Sequence, residues 1–98
     1  MNLRITWDER KNALNKLKHG VSFQSAVVVF SDPMRLEMFD RKHSAAEDRW
    51  KITGFAGLTM LMVICSDKDG IIRLISARKA TKKEMEEYFN GYSTFYIN

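Results

Sequence analysis

The chain opens with a strand pattern and then changes to a helical one. Hydrophobic and polar residues alternate over Leu3–Trp7, which predicts a short strand. Asp8 carries the side chain of a helix N-cap, and we predict a helix from there to about His19, ended by Gly20. The apolar stripe expected to face the core consists of Ala13, Leu14 and Leu17.

A second helix is predicted directly after the first. Ser22 is suited to cap it, and Ser31-Asp32-Pro33 is expected to stop it. The apolar residues between these limits follow the spacing of one helical face, and they are Phe23, Ala26, Val27 and Phe30. Val27–Val29 is β-branched and resembles a strand, but the helical spacing fits the longer segment better.

The second half of the chain predicts a sheet. Four strands are expected, at Met34–Phe39, Arg49–Gly54, Leu58–Cys65 and Ile71–Ser76. A polar loop over Asp40–Ala46 and a hairpin loop over Ser66–Gly70 separate them. Leu58–Cys65 is apolar on both faces, which is typical of a central, covered strand.

The C-terminal region predicts one further helix. Thr81 and Glu84 form a capping box, and Gly91 is expected to break the helix. Its apolar stripe is predicted at Met85, Tyr88, Phe89 and Tyr92. The fold class is therefore α+β in the order β-α-α-β-β-β-β-α, with a mostly antiparallel sheet packed by two N-terminal helices and a C-terminal helix. We expect a single domain over residues 1–98.

Composition excludes several classes of protein. The chain of 98 residues is 45% hydrophobic and has one proline, which argues against a disordered tail. A single cysteine, Cys65, cannot form an internal disulfide, so we expect a cytoplasmic protein in a reducing compartment. The polar start argues against a secretory signal, and the longest apolar stretch is too short to span a membrane.

Positive charge gives the first functional hint. The formal net charge is +4, and the basic residues fall into two clusters. One cluster consists of Arg73, Arg78, Lys79, Lys82 and Lys83, and the other of Arg10, Lys11, Lys16 and Lys18. Such clusters favour polyanions, nucleic acid first and an acidic protein second, although a merely solvated surface accounts for them equally well.

One charged constellation has the residue types needed for RNA cleavage. Glu47, Arg49 and Lys51 have the spacing of one strand face, and Arg73 is expected on a nearby strand. Arginine forks suit a phosphate and can stabilise its charge in a transition state, while a histidine or glutamate can take a proton from a ribose 2′-hydroxyl. A set of cross-strand salt bridges, Glu47 with Arg49 or Arg73, explains the same pattern.

The whole pattern resembles the BrnT family, the ribonuclease toxins of type II toxin–antitoxin pairs. The opening match consists of Trp7-Asp8, Lys11, Asn15, Lys18-His19-Gly20-Val21, Phe23 and Ala26. The middle match consists of Asp32-Pro33, Asp40, His43-Ser44, Glu47, Arg49 and Gly54. The closing match consists of Arg73, Ile75-Ser76-Ala77-Arg78, Ala80-Thr81, Glu84 and Tyr88. The resemblance implies a RelE-like fold, RNA cleavage, arrest of translation and neutralisation by a BrnA-like antitoxin that also binds the operator DNA.

Within the match, the polar residues without an evident structural task become the candidate catalytic residues. They are His43, Glu47, Arg49, Arg73 and Arg78, with His43 or Glu47 for proton transfer and the arginines for the phosphate. The candidate RNA-binding residues are Lys51, Lys79, Lys82 and Lys83. His19 is more simply explained as a cation at a helix C-terminus. We expect neither a metal nor another cofactor, because no Cys/His spacing forms a metal site.

Two other functions remain open. The chain can be a degenerate toxin that binds nucleic acid and its antitoxin without catalysis, or a small interaction domain without a nucleic-acid role. In the toxin reading, an antitoxin encoded next to the gene is expected to cover the basic sheet face. The antitoxin is expected to contact Tyr92, Phe95 and Tyr96 in the C-terminal tail of this chain, unless that tail folds back onto the core.

Overall fold

The computed structural model describes the backbone of residues 4–97 and the side chains of residues 4–91. It confirms an α+β fold, which here contains three α-helices and one five-stranded mixed sheet. The strands are β1 (Arg4–Thr6), β2 (Leu36–Phe39), β3 (Asp48–Ala56), β4 (Thr59–Lys68) and β5 (Ile71–Lys79). The helices are α1 (Glu9–His19), α2 (Phe23–Val27) and α3 (Lys82–Ile97). None of these helices is long and apolar enough to cross a membrane.

The strand order in the sheet is β1-β5-β4-β3-β2. β1 runs parallel to β5, and the other three pairs are antiparallel. β4 lies at the centre and is buried on both faces over Met60–Val63, as its apolar sequence predicts. Leu58 is the exception, because it lies in the turn before β4 and is 100% exposed.

The hydrophobic core lies between the sheet and the first two helices. Phe23 and Ala26 of α2 are fully buried there, and so is Val29 in the 3-10 turn (Val28–Ser31) that follows α2. The predicted second helix is therefore too long, since its regular part ends at Val27. The sheet contributes Ile52, Leu61, Val63, Cys65, Leu74 and Ala77 to the same core.

The predicted apolar stripe of α1 is wrong. Leu14 and Leu17 are exposed, and the buried positions of the helix are Asn12 and Asn15. Asn15 donates to the carbonyls of Val21 and Ala77, both at 2.8 Å, and accepts from the Ala77 N–H at 3.1 Å. The helix is thus held on the sheet by satisfied amide hydrogen bonds rather than by leucine packing. The predicted caps are confirmed, with Asp8 accepting from two backbone N–H groups and Gly20 left-handed.

The β4–β5 connection is tighter than predicted. Instead of a loop over Ser66–Gly70, the strands continue to Lys68 and resume at Ile71. Asp69 and Gly70 form the two-residue turn, with φ of 54° and 78°. Positive φ at both positions matches the twist of the flanking strands, so the ladder extends to the turn.

Helix α3 packs on the other face of the sheet near Phe55. The Phe55 and Tyr88 rings meet edge to face at 5.6 Å, and the Tyr88 hydroxyl donates to Asp32 at 2.8 Å. The predicted break at Gly91 is wrong, since the helix continues to Ile97. A Cβ at Gly91 would lie 3.5 Å from Leu36, so the residue lies against β2. The side chains of Tyr92, Phe95 and Tyr96 lie outside the described residues.

Candidate active site

The sheet register places candidate residues in one row on the face opposite the first two helices. Arg49 on β3 is paired with Ser66 on β4, and Ser66 is paired with Arg73 on β5. Arg73 is paired in turn with Thr6 on the short strand β1. Because paired residues point to the same face, two arginines flank a buried serine on this face.

Glu47 and Arg73 form an ion pair in this row. Glu47 lies in the bend just before β3, and its Oε1 is 3.1 Å from Nη2 of Arg73. The side chain of Arg73 is 52% exposed, so its remaining donors can reach a ligand. The pair borders an open cleft of about 450 Å³, which is lined by Thr6, Glu47, Ser66, Lys68, Asp69, Ile71 and Arg73. The cleft thus combines two carboxylates, two hydroxyl groups and two cations.

The β2–β3 loop connects Arg49 to the second candidate for proton transfer. The Asp40 N–H donates to the Arg49 carbonyl at 2.8 Å, which closes the base of the loop. Ser44 donates its hydroxyl to the Asp40 carbonyl and accepts from the Arg49 N–H at 2.9 Å. These bonds fix the start of β3 relative to the 3-10 turn (Arg41–His43) that carries His43.

His43 is oriented by Asp40 rather than by Glu47. Its Nδ1 is 2.9 Å from Oδ2 of Asp40, and the imidazole is 58% exposed. Desolvation raises the pKa of Asp40, but the hydrogen bond and the charge of His43 outweigh it, so the pKa is below its ordinary value. An ionised Asp40 holds the proton on Nδ1 and leaves Nε2 available for proton transfer.

Arg78 does not join the Glu47–Arg73 pair. Its two terminal nitrogens bind both oxygens of Glu84, at 2.8 and 2.9 Å. Glu84 also accepts from the Thr81 N–H at 2.9 Å, and the predicted capping box is confirmed. The hydrogen bond from Arg78 is the largest cause that lowers the pKa of Glu84. Arg78 thus ties the end of β5 to the start of α3.

The four candidate lysines are exposed but lie apart. Lys51 is on β3, two residues from Arg49 and on the same face. Lys79 is at the far end of β5, and Lys82 and Lys83 begin α3. Only Lys51 therefore accompanies the row of Arg49, Ser66 and Arg73, while the other three extend the positive charge toward the opposite end of the strand.

Sequence reasoning missed two residues that contact or separate the candidate groups. Ser66 directly follows the apolar run Leu58–Cys65 and is buried, but nothing in the sequence pattern places it between two arginines. Asp40 precedes His43 by three residues, which is a readable signal for a hydrogen bond within one turn. Across the described residues, no group of three or more His, Cys, Asp or Glu side chains is placed to hold a metal ion.

Comparison with known protein families identifies the family of this chain. A family model described as BrnT, the ribonuclease toxin of type II toxin–antitoxin systems, matches residues 7–84. The match includes the β2–β3 loop, the Arg78–Glu84 pair and every residue that lines the cleft except Thr6. No curated protein matches the chain.

Proposed function

Because this chain belongs to the BrnT family of ribonuclease toxins from type II toxin–antitoxin systems, we propose that it is a metal-independent endoribonuclease with a RelE-like fold that cleaves cellular RNA and arrests translation. The observation that carries the proposal is the Glu47–Arg73 pair in an open polar cleft, with Arg49 in register across Ser66. These groups supply both a carboxylate and two guanidinium forks at one place on the sheet.

The reaction that suits these groups is an internal transesterification. The ribose 2′-hydroxyl loses its proton and its oxygen attacks the adjacent phosphorus, while the bond to the 5′-oxygen breaks and that oxygen gains a proton. The products are a 2′,3′-cyclic phosphate and a free 5′-hydroxyl. Arg73 and Arg49 bind the non-bridging oxygens and stabilise the charge that develops in the transition state.

Two groups divide the proton transfers. The Glu47 carboxylate accepts the proton of the 2′-hydroxyl, and RNA binding shifts Arg73 from Glu47 toward the phosphate. His43 donates a proton from Nε2 to the leaving 5′-oxygen, with its ring held by Asp40. The loop that carries both residues is closed at its base by the Asp40–Arg49 backbone hydrogen bond, which supports their acting together.

Positive charge beyond the cleft guides the RNA strand. Lys51 lies on the same sheet face as Arg49 and binds a flanking phosphate. Arg78, Lys79, Lys82 and Lys83 attract more distant phosphates at the far end of β5, so binding weakens as salt rises. Arg78 acts there from within its ion pair with Glu84 and contributes less than Arg73.

A second candidate is a non-catalytic toxin-like module. The ion pairs favour it, because Arg73 and Arg78 each hold a carboxylate partner and need no RNA to be satisfied. Such a chain binds its antitoxin and takes part in repression without cutting RNA. In both cases the proposed partner is a BrnA-like antitoxin encoded beside the gene, and operator DNA is bound only through that antitoxin.

The test is RNA cleavage by purified variants. Single-stranded RNA is incubated with the parental chain, Glu47→Gln and Arg73→Ala, and with Arg41→Ala as an exposed arginine on a neighbouring turn. We expect the parental chain and Arg41→Ala to cut at similar rates and the two site variants to lose activity by about 10²-fold. Absence of cleavage by the folded parental chain contradicts the enzyme and favours the binding module.

A further inference from the structure

Helix α1 presents leucines to solvent instead of to the core. Leu14 is 59% exposed and Leu17 is 85% exposed. The two residues are three positions apart and so are neighbours on the helix surface. The inward positions of the helix are filled by Asn12 and Asn15, whose amides are fully engaged in hydrogen bonds. The outer face therefore carries two exposed leucines, and none of the residues that the structure describes covers them.

A groove continues this apolar face onto the sheet. It lies between α1 and β5, has a volume of about 240 Å³, and is lined by Lys11, Leu14, Asn15, Lys18, His19, Ile75 and Ser76. Ile75 is the extra residue where the β4–β5 register shifts. β1 pairs with β5 only as far as Arg73. Beyond that point, the backbone N–H and C=O of Ala77 are hydrogen-bonded to the side chain of Asn15. The groove thus accepts side chains rather than an added strand.

The charge around this surface is mainly positive. Arg10, Lys11, Lys16 and Lys18 are exposed on α1, and His19 ends the helix. The only acidic residue of α1 is Glu9, and its carboxylate accepts from Trp7 and Asn12. A ligand that fits must therefore present apolar side chains together with carboxylates.

We propose that the α1 surface, formed by Leu14, Leu17 and the groove beside them, is the docking site for an acidic amphipathic segment of the antitoxin. The proposal rests on the proposed toxin function and adds the place and the chemistry of the partner. RNA is a less suitable ligand for this surface, because its phosphates make no favourable contact with the two exposed leucines. A second copy fits less well too, because a two-fold contact brings the same cations of both chains together.

The position of the surface separates docking from catalysis. Ser76 of the groove is three residues beyond Arg73 on β5, and no described residue lines both the groove and the cleft. Its anchoring residues are none of the groups assigned to the reaction. Substitutions of Leu14 and Leu17 therefore change antitoxin binding without changing RNA cleavage.

The experiment measures affinity and cleavage on the same variants. The probe is the purified product of the open reading frame adjacent to the gene, titrated calorimetrically into the parental chain and into Leu14→Ser/Leu17→Ser. The matched control is Leu58→Ser, since Leu58 is 100% exposed in the turn between β3 and β4. We expect the double variant to bind about 10- to 100-fold more weakly, while Leu58→Ser binds as the parental chain does.

A charge-reversal variant tests the docking site independently of the leucines. Lys11→Glu/Lys18→Glu is expected to weaken binding at low salt, and Lys42→Glu, on the exposed 3-10 turn, is its control.

The docking site is refuted if the leucine variant binds the probe as tightly as the parental chain, or if the probe binds neither chain. Loss of RNA cleavage in the leucine variant refutes it in favour of an RNA surface, and a parental dimer that this variant dissociates refutes it in favour of a second copy. A parental chain that binds the probe at this surface but cuts no RNA supports docking and contradicts only the enzyme.

Discussion

Arg49 and Arg73 lie on either side of Ser66 in one cross-strand row. In the proposed mechanism, the two planar guanidinium groups bind the same phosphate above the middle strand. A lysine at either position keeps the charge but loses the bidentate geometry that suits a phosphate. The proposed mechanism therefore depends on the identity of these two cations and on their spacing.

We expect Arg49→Ala and Arg73→Ala each to reduce the rate of RNA cleavage by about 10²-fold, and the corresponding lysine variants to recover part of that loss. The physical reason is the removal of one preorganised charge stabiliser from the proposed site. The measurement is the cleavage rate at saturating RNA, with Arg41→Ala as control and urea unfolding to show that each variant is folded. Equal rates for both alanine variants and the parental chain would contradict the assignment.

Part of this site can be predicted from the sequence. The pairing of Glu47 with Arg73 follows from strand alternation and opposite charge, and it was one of the two partners expected for Glu47. Asp40 as the partner of His43, and Ser66 between the arginines, depend on the closure of the loop and on the register of three strands. The position of Ser66 between the arginines is not encoded by a local pattern, whereas the three-residue spacing of Asp40 and His43 is a local signal for their hydrogen bond.

At the scale of elements, α1 shows how polar packing can override periodicity. Its leucines have helical spacing, yet Asn12 and Asn15 face the core because the backbone groups of Phe23, Val21 and Ala77 need partners there. Prediction from hydrophobic periodicity assigns apolar residues to the core. It does not include the hydrogen-bond donors and acceptors that distant segments contribute. The strands and caps, which depend on local residue types, are predicted better.

Asn15→Ala tests this explanation of α1. The substitution leaves the Ala77 N–H and C=O and the Val21 carbonyl without this partner in the interior. We expect the free energy of unfolding to fall by about 3 kcal/mol, since a buried unsatisfied polar group costs about 1–3 kcal/mol. Urea unfolding followed by circular dichroism measures the change. Asn90→Ala, at an exposed position of α3, is expected to be nearly neutral, and equal losses for both variants would contradict the role of Asn15.

The Arg78–Glu84 pair connects β5 to α3 and gives that junction a pH dependence. Arg78 lowers the pKa of Glu84 below the ordinary value of 4.5 in the folded chain. A lowered folded-state pKa means that the stabilisation is present above about pH 4.5 and is lost as the pH falls through the folded-state pKa. The junction is thus expected to be stable at neutral pH and to weaken in acid.

Glu84→Gln is therefore expected to lower the free energy of unfolding by about 1 kcal/mol at pH 7, and by less as the pH falls below 4.5. Urea titrations of the parental chain and the variant across this range measure the difference. Glu86→Gln, exposed on the same helix, serves as the control for a change of net charge. A difference that stays constant with pH would contradict an ionised Glu84 as the partner of Arg78.

At the scale of the whole molecule, the sheet and its helices separate two surfaces. One is the open sheet face, with the Glu47–Arg73 pair and the row through Arg49. The other is the α1 surface, where exposed basic residues of the helix surround Leu14 and Leu17. This division suits a toxin that must cut RNA when free and be held by a partner when it is not.

The most direct test of the central claim is the chemistry of the cut itself. Purified chain is incubated in EDTA with a short single-stranded RNA, and with the same RNA carrying one 2′-deoxyribose at the cleaved position. The account predicts cleavage of the first with a 2′,3′-cyclic phosphate end, and none at the modified position of the second, because the 2′-hydroxyl is the nucleophile. Cleavage that EDTA abolishes and Mg²⁺ or Mn²⁺ restores, or cleavage at the deoxyribose, would contradict it.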